Sequence, residues 1–271
     1  MKLIFKLLLV AAVLAAFYSF WIYPSYSVPV LMYHSFDTSK GLLSVSPENF
    51  EKQMRYIKDH GYHVIALDEF VEGVRTKRKF PHNTVVITID DGYQNNYTVA
   101  YPILRKYGFP ATIFIITNVM DTKRSFFFRD GFLSWDEVKE MSRNGIVFGA
   151  HTKNHVYLPA IEDEQVLWDE IAGSKEAIEK HIGLPVYYFA YPSGGFNPQA
   201  KRLTQRAEYK AAFTTSLGRD FLNRRGLYEL VRISVRNINP NFSMKNWWGG
   251  IRFRAKLSGY YYALRTTKSE Y

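Results

Sequence analysis

The strongest constraint on this chain is an alternation of short apolar runs with helix-type segments, repeated over most of its length. Val28-Pro-Val-Leu-Met-Tyr33 reads as a first buried strand. Ser46-Pro47-Glu48 places an N-cap, a proline at the first helical position and an acid in the first turn. That helix runs to about His60 and stops at Gly61. Residues 63–67 form a second strand, and Asp68 caps a short helix. Thr84-Val-Val-Ile-Thr-Ile89 is β-branched at nearly every position, as expected of a strand covered on both faces. The spacing then predicts a helix over 96–107 that contains Pro102, a strand at 111–117 and a helix opened by Ser134-Trp-Asp-Glu137. It continues with a strand at 146–150, a helix at 162–181 and a strand at 186–191. A helix at 198–208, a strand at 211–215 and a last strand at 228–235 complete it.

Such alternation implies a parallel sheet, either closed into a barrel or open and doubly wound. The open form usually carries a glycine-rich phosphate loop after an early strand. None is present, and Gly194-Gly195 is too short to be one. The expectation is a barrel of about 210 residues. Hydrophobic residues make up 47% and aromatics 17%, which excludes a disordered chain. The absence of cysteine excludes disulfides, zinc fingers, iron–sulfur clusters and cysteine nucleophiles. Any metal must therefore be held by His, Asp or Glu. The net charge of +10 leaves open nucleic acid, an anionic membrane surface or an acidic polymer.

The N-terminus bears on that choice. Residues 7–23 carry no charge, behind Lys2 and Lys6. As a helix this run is about 26 Å long, and with residues 3–6 it reaches a ~30 Å hydrocarbon core. Phe17, Tyr18, Phe20, Trp21 and Tyr23 gather at the far end, where amphipathic rings favour the interface. The expectation is a single-pass membrane anchor over 1–24, with a cytoplasmic N-terminus and an exported body. A cleaved signal peptide, with Val13-Leu14-Ala15 as its site, is the alternative and would give a secreted protein. Either argues against nucleic acid as a partner.

In parallel α/β barrels, chemistry collects at the C-terminal ends of the strands. His34 follows the first strand, Asp90 and Asp91 the third, and His151 and His155 the fifth. Pro192, Ser193 and Gly194 follow the sixth, and Arg232 lies near the last. Taken singly, an Asp-Asp-Gly is a turn or cap and a His-x-x-x-His is two surface histidines. Their co-occurrence at successive strand ends favours a site. Adjacent carboxylates repel, and a cation held by one of them relieves this and leaves the other as a base. Asp91, His151 and His155 then form a two-His-one-carboxylate set for a divalent metal. His60, His63, His82 and His181 lie away from the strand ends.

The segments Thr88-Ile-Asp-Asp-Gly-Tyr93, His151-Thr-Lys-Asn-His155 and Phe189-Ala-Tyr-Pro-Ser-Gly194 resemble the polysaccharide deacetylases of the NodB-homology type, carbohydrate esterase family four. Pro29-Val-Leu-Met-Tyr-His-Ser35 resembles the branch of poly-N-acetylglucosamine deacetylases. The resemblance runs from about residue 28 to 235. It implies a distorted (β/α)7 barrel, a divalent metal, with zinc the default and cobalt, nickel or iron possible, and an N-acetylated polysaccharide as substrate. It makes Asp90 the general base and Asp91, His151 and His155 the metal ligands, with the backbone N–H of Tyr191 in the oxyanion hole. Two positions depart from the family. Ala190 stands where many relatives carry an arginine that braces the base, and Arg232 is the candidate replacement. No histidine follows His181, so His34 is the candidate general acid.

Two other readings stand beside this one: a non-catalytic glycan-binding protein on the same fold, and an O-acetyl xylan esterase. A glycoside hydrolase is disfavoured, because it needs carboxylates ~5–9.5 Å apart across a sugar, whereas Asp90 and Asp91 are consecutive. The chain thus divides into the anchor at 1–24, a catalytic domain at 25–240 and a tail at 241–271. The tail carries six basic residues against Glu270 alone, half of the net charge, interleaved with Trp247, Trp248, Phe253 and Tyr260 to Tyr262. It reads either as a contact to an anionic envelope surface or polymer, or as a final helix packed on the barrel.

Overall fold

A computed structural model describes residues 2–17, 28–38, 41, 43–78, 80–81, 83–122, 131–215, 226–237 and 243–251. The first helix, α1, spans Lys2–Phe17. Its apolar side chains, among them Phe5, Leu8 and Leu14, are exposed. Among the described residues no helix is long and apolar enough to cross a membrane. The aromatic end of the expected anchor, residues 18–23, lies outside the described residues.

The body is a ring of parallel strands with helices outside. In chain order it comprises β1 (Val30–Tyr33), α2 (Pro47–Asp59), β2 (His63–Val64), α3 (Leu67–Arg75) and β3 (Thr84–Asp91). A π turn (Asn96–Ala100) leads into α4 (Tyr101–Tyr107), followed by β4 (Thr112–Ile115), α5 (Trp135–Arg143) and β5 (Val147–Ala150). Next come α6 (Glu164–Trp168), a second π turn (Asp169–Gly173) and α7 (Ser174–Ile182). Then β6 (Tyr188–Ala190), α8 (Pro198–Arg206), β7 (Ala211–Thr214), β8 (Leu230–Val231) and β9 (Ile233–Ser234) finish the domain.

The strand order is β8-β7-β6-β5-β4-β3-β1-β9, with β2 paired to β3. Only Arg232 separates β8 from β9, so one stretch of chain pairs with β7 through Val231 and with β1 through Ile233. That stretch closes the ring. With β8 and β9 taken as one strand the ring has seven, which agrees with the expected architecture. Alternation along each strand divides the core in two. Val30, Val86, Phe114, Tyr188, Ala190, Ala211, Phe213 and Leu230 form one cluster, which α3 joins through Leu67, Phe70 and Val71. Their in-between neighbours, such as Leu31, Ile87, Ile113, Phe189, Tyr191 and Ala212, pack with the helices in the other.

Local sequence accounts for the helix starts. Ser46 caps α2 by accepting the Asn49 N–H, with Pro47 at its first position. Ser134 and Glu137 form a reciprocal capping box on α5. Asp68 does not cap α3: Ala66 holds the cap position without a side-chain bond, and the Asp68 carboxylate accepts the Tyr188 hydroxyl instead. Pro102 is accommodated by the π turn before it, where wider hydrogen bonding tolerates the missing N–H. At the C-terminal end, a helix over 244–251 buries Trp247 and Trp248, and Trp248 meets Tyr62 edge-on at 4.6 Å. The start of the tail therefore packs on the barrel. Its remaining basic and aromatic residues lie outside the described residues.

Candidate active site

β3 delivers both carboxylates. Asp90 continues the inward parity of Val86 and Thr88 and is 1% exposed. Regular alternation would turn Asp91 toward the helix layer beside Ile89. Instead Asp91 takes φ 73° and Gly92 φ 76°, so the strand breaks there and both carboxylates stay at the mouth of the ring. The Gly92 position tolerates no side chain, since a Cβ would sit 2.9 Å from Ile115 Cγ2.

Arg232 meets Asp90 from the closing strand. Its Nη1 donates to Asp90 Oδ1 at 2.6 Å and its Nη2 to Oδ2 at 2.7 Å, a two-point clamp. Nη1 also reaches Thr88 Oγ1 at 3.2 Å, and the guanidinium lies 5.1 Å from the Phe114 ring. Small Ala190, on the same inner face, belongs to the packing around this group. Burial pushes the Asp90 carboxyl up, but Arg232, His151 and His34 outweigh it and hold Asp90 below its ordinary value. Arg232 thus contacts Asp90 from a different part of the ring than the strand that carries Ala190.

His34 follows β1, with Nε2 4.0 Å from Asp90 Oδ2. Its carbonyl accepts Asn96 Nδ2 at 2.9 Å, and Asn95 Oδ1 accepts the Phe36 N–H at 3.1 Å. These two asparagines at the start of the first π turn fix the His34 segment, and nothing in their spacing announced it.

Asp91, His151 and His155 converge, with one ligand-type atom from each lying within 4.8 Å of the others. Asp91 Oδ1 is 3.5 Å from both Nε2 atoms. The His151 Nδ1 lies 2.7 Å from the Ala190 carbonyl, which can only accept, so Nδ1 carries the proton and Nε2 of the neutral ring carries a lone pair. Burial pushes His151 down, against the pull of Asp90 and Asp91, and favours that neutral ring. Asp91 Oδ1 is buried and accepts no hydrogen bond from any of the described residues. A buried carboxylate oxygen facing an imidazole lone pair is unfavourable unless a cation lies between them. The donor set thus fits a small divalent ion.

Tyr191 does not fill its expected role. Its N–H donates to Phe213 O at 2.9 Å within the β6–β7 ladder, and its side chain faces outward and packs edge-on against Phe189 and stacked on Phe196. The ladder is the reason: a strand's N–H groups lie in the sheet plane, and β7 engages this one. Pro192 has no N–H, and the N–H groups of Gly194 and Gly195 go to Tyr191 and Pro192. Ser193, between them, takes φ 54°.

The sequence profile of the polysaccharide deacetylases matches residues 77–212. YxkH of Bacillus subtilis, named as a polysaccharide deacetylase, is 32% identical over 77% of this chain and 71% of its own length. A poly-beta-1,6-N-acetyl-D-glucosamine N-deacetylase of Staphylococcus aureus is 32% identical over 66% of this chain and 64% of its own. Among solved structures, the Streptococcus pyogenes deacetylase PplD in complex with acetate matches with TM-score 0.71 and 30% identity, over 83% of this chain and 98% of that one. A polysaccharide deacetylase of Bacillus cereus matches with TM-score 0.66 and 31% identity, over 83% and 69%. This chain belongs to the polysaccharide deacetylase family of hydrolases.

Proposed function

We propose that the protein removes N-acetyl groups, with a divalent metal, from an extracellular polysaccharide that contains N-acetylglucosamine, and releases acetate. The observation that carries the reading is the clamped, buried Asp90 beside the Asp91–His151–His155 cluster. One carboxylate is held as a base while its neighbour is free to bind a cation. A glycan-binding protein would have no use for that division of labour.

When bound by Asp91, His151 and His155, a divalent ion would polarise the acetyl carbonyl as a Lewis acid. Zinc is the default, and cobalt, nickel or iron also suit two imidazoles and a carboxylate. Asp90 takes the proton of the attacking water, and Arg232 keeps its two oxygens in one orientation. His34, protonated, gives a proton to the departing nitrogen, because an amine leaves poorly without one. The Ser193 N–H is the backbone donor for the developing oxyanion, a contribution of about 3 kcal/mol. The Staphylococcus aureus relatives support poly-N-acetylglucosamine as the polymer, with peptidoglycan as the other N-acetylglucosamine source. The lysine-flanked apolar N-terminus supports a membrane-anchored enzyme working outside the cytoplasm.

The test is acetate release by the purified protein from poly-N-acetylglucosamine, chito-oligosaccharide, peptidoglycan and O-acetyl xylan. The expected result is acetate from an N-acetylglucosamine polymer with one new free amine per acetate. Acetate from xylan alone, or from none of the four, would sink the reading.

A further inference from the structure

We propose that Glu170 is a positioning residue for the metal site, because its buried carboxylate fixes the loop that carries both histidines. The inference rests on the metal site proposed above. The loop is costly to hold: Thr152 takes φ 64° and His155 φ 56°, left-handed conformations that non-glycine residues rarely adopt. It is tied on two sides. From one side, the Thr117 and Asn118 N–H groups donate to the carbonyls of Thr152 and Lys153 at 3.2 and 3.0 Å. From the other, Glu170 Oε2 accepts the N–H of Lys153 at 2.9 Å and of Asn154 at 3.0 Å. Glu170 Oε1 accepts Asn154 Nδ2 at 2.5 Å. Thr152 Oγ1 closes the turn by accepting the His155 N–H at 2.9 Å.

Glu170 is 5% exposed and stands on the second π turn, between buried Leu167 and Ile171. A carboxylate is costly to bury unless donors surround it, and all three of these donors come from the two residues midway between His151 and His155. The neighbouring cation, Lys153 Nζ, pairs with Asp169 at 2.8 Å. Glu170 therefore acts on the backbone of the loop, and through it on the spacing of the two imidazoles. π turns recur at functional sites, and this one presents a side chain to a ligand loop.

The test compares Glu170→Ala, Glu170→Gln and Asn154→Ala with wild type in the full chain. Zinc affinity is measured by competition with a chromophoric chelator, and site geometry by the visible absorption of the cobalt form. Circular dichroism and thermal unfolding report the fold. Glu170→Ala is expected to bind zinc about 10- to 100-fold more weakly, with an altered cobalt spectrum. Glu170→Gln keeps one oxygen for the two backbone N–H groups and is expected to restore both readouts most of the way. Asn154→Ala removes the part-buried tie to Glu170 Oε1 and the exposed bond that Asn154 Oδ1 accepts from Asn118 Nδ2, and is expected to cost about two- to tenfold. Wild-type affinity and spectrum in a folded Glu170→Ala would overturn the inference. Should that variant not fold, wild-type values in Asn154→Ala would overturn it equally. A wild-type protein that binds no metal would instead overturn the metal site itself.

Discussion

Replacing Arg232 by Met tests the clamp at the centre of the site. Arg232 and Asp90 are each 1% exposed, and two short charge-assisted hydrogen bonds join them. Methionine fills much of the space between Phe114 and Phe213 but leaves the carboxylate buried without its partner. Breaking a buried pair on one side costs about 3–5 kcal/mol. For a domain of this size that lowers Tm by about 6–20 °C. Asp90→Asn alone strands the guanidinium and is expected to cost a comparable amount. The double variant carries neither charge, so its loss should fall short of the summed single losses by about 1.5–3 kcal/mol. The assay is urea unfolding followed by tryptophan fluorescence, in chelator so that metal binding adds nothing. Losses that add to within about 0.5 kcal/mol would refute the pairing.

Three further outcomes are expected. His34→Ala should keep its metal by elemental analysis and lose about 10²–10⁴-fold in kcat, and near wild-type turnover would place the general acid elsewhere. Gly149→Ala puts a Cβ 2.5 Å from the Phe114 ring and 2.9 Å from the Tyr188 carbonyl, so the packed ring should lose about 1–3 kcal/mol in denaturant titration. Trp248→Ala removes a buried ring set against Tyr62 and should cost about 3–5 kcal/mol, while a loss below about 1 kcal/mol would mean that the 244–251 helix contributes little to the barrel.

Much of the barrel was legible in the sequence, because its signals are local. The β-branched run at 84–89 and the Ser46 and Ser134 caps depend on neighbours within a few residues. The grouping of Asp91, His151 and His155 was legible for a related reason: each follows a readable strand. The way the ring closes was not. A barrel and Arg232 as the partner of Asp90 were both expected, but the change of partner at Arg232, from β7 through Val231 to β1 through Ile233, follows only from the tertiary pairing. The loss of the Tyr191 N–H to Phe213 O was not legible, because it depends on the pairing of β6 with β7. Asp68 was misassigned because a tertiary partner, Tyr188, outcompeted the helix N-terminus for its carboxylate. Asp91 and Ser193 are each followed by a glycine, Gly92 and Gly194, but the left-handed turns at Thr152 and His155 carry none to announce them. Their support comes from distant residues such as Glu170, which in the sequence is one acid among several on a helix.

Acetate release from poly-N-acetylglucosamine, read beside metal content, tests the central claim most directly. Wild-type protein should carry about one divalent ion per chain, release acetate, lose activity to a chelator and regain it on adding metal. Asp90→Asn should keep the ion without turnover, and His151→Ala should lose both. Undiminished acetate release from metal-free wild type, or a full complement of metal in His151→Ala, would contradict the account.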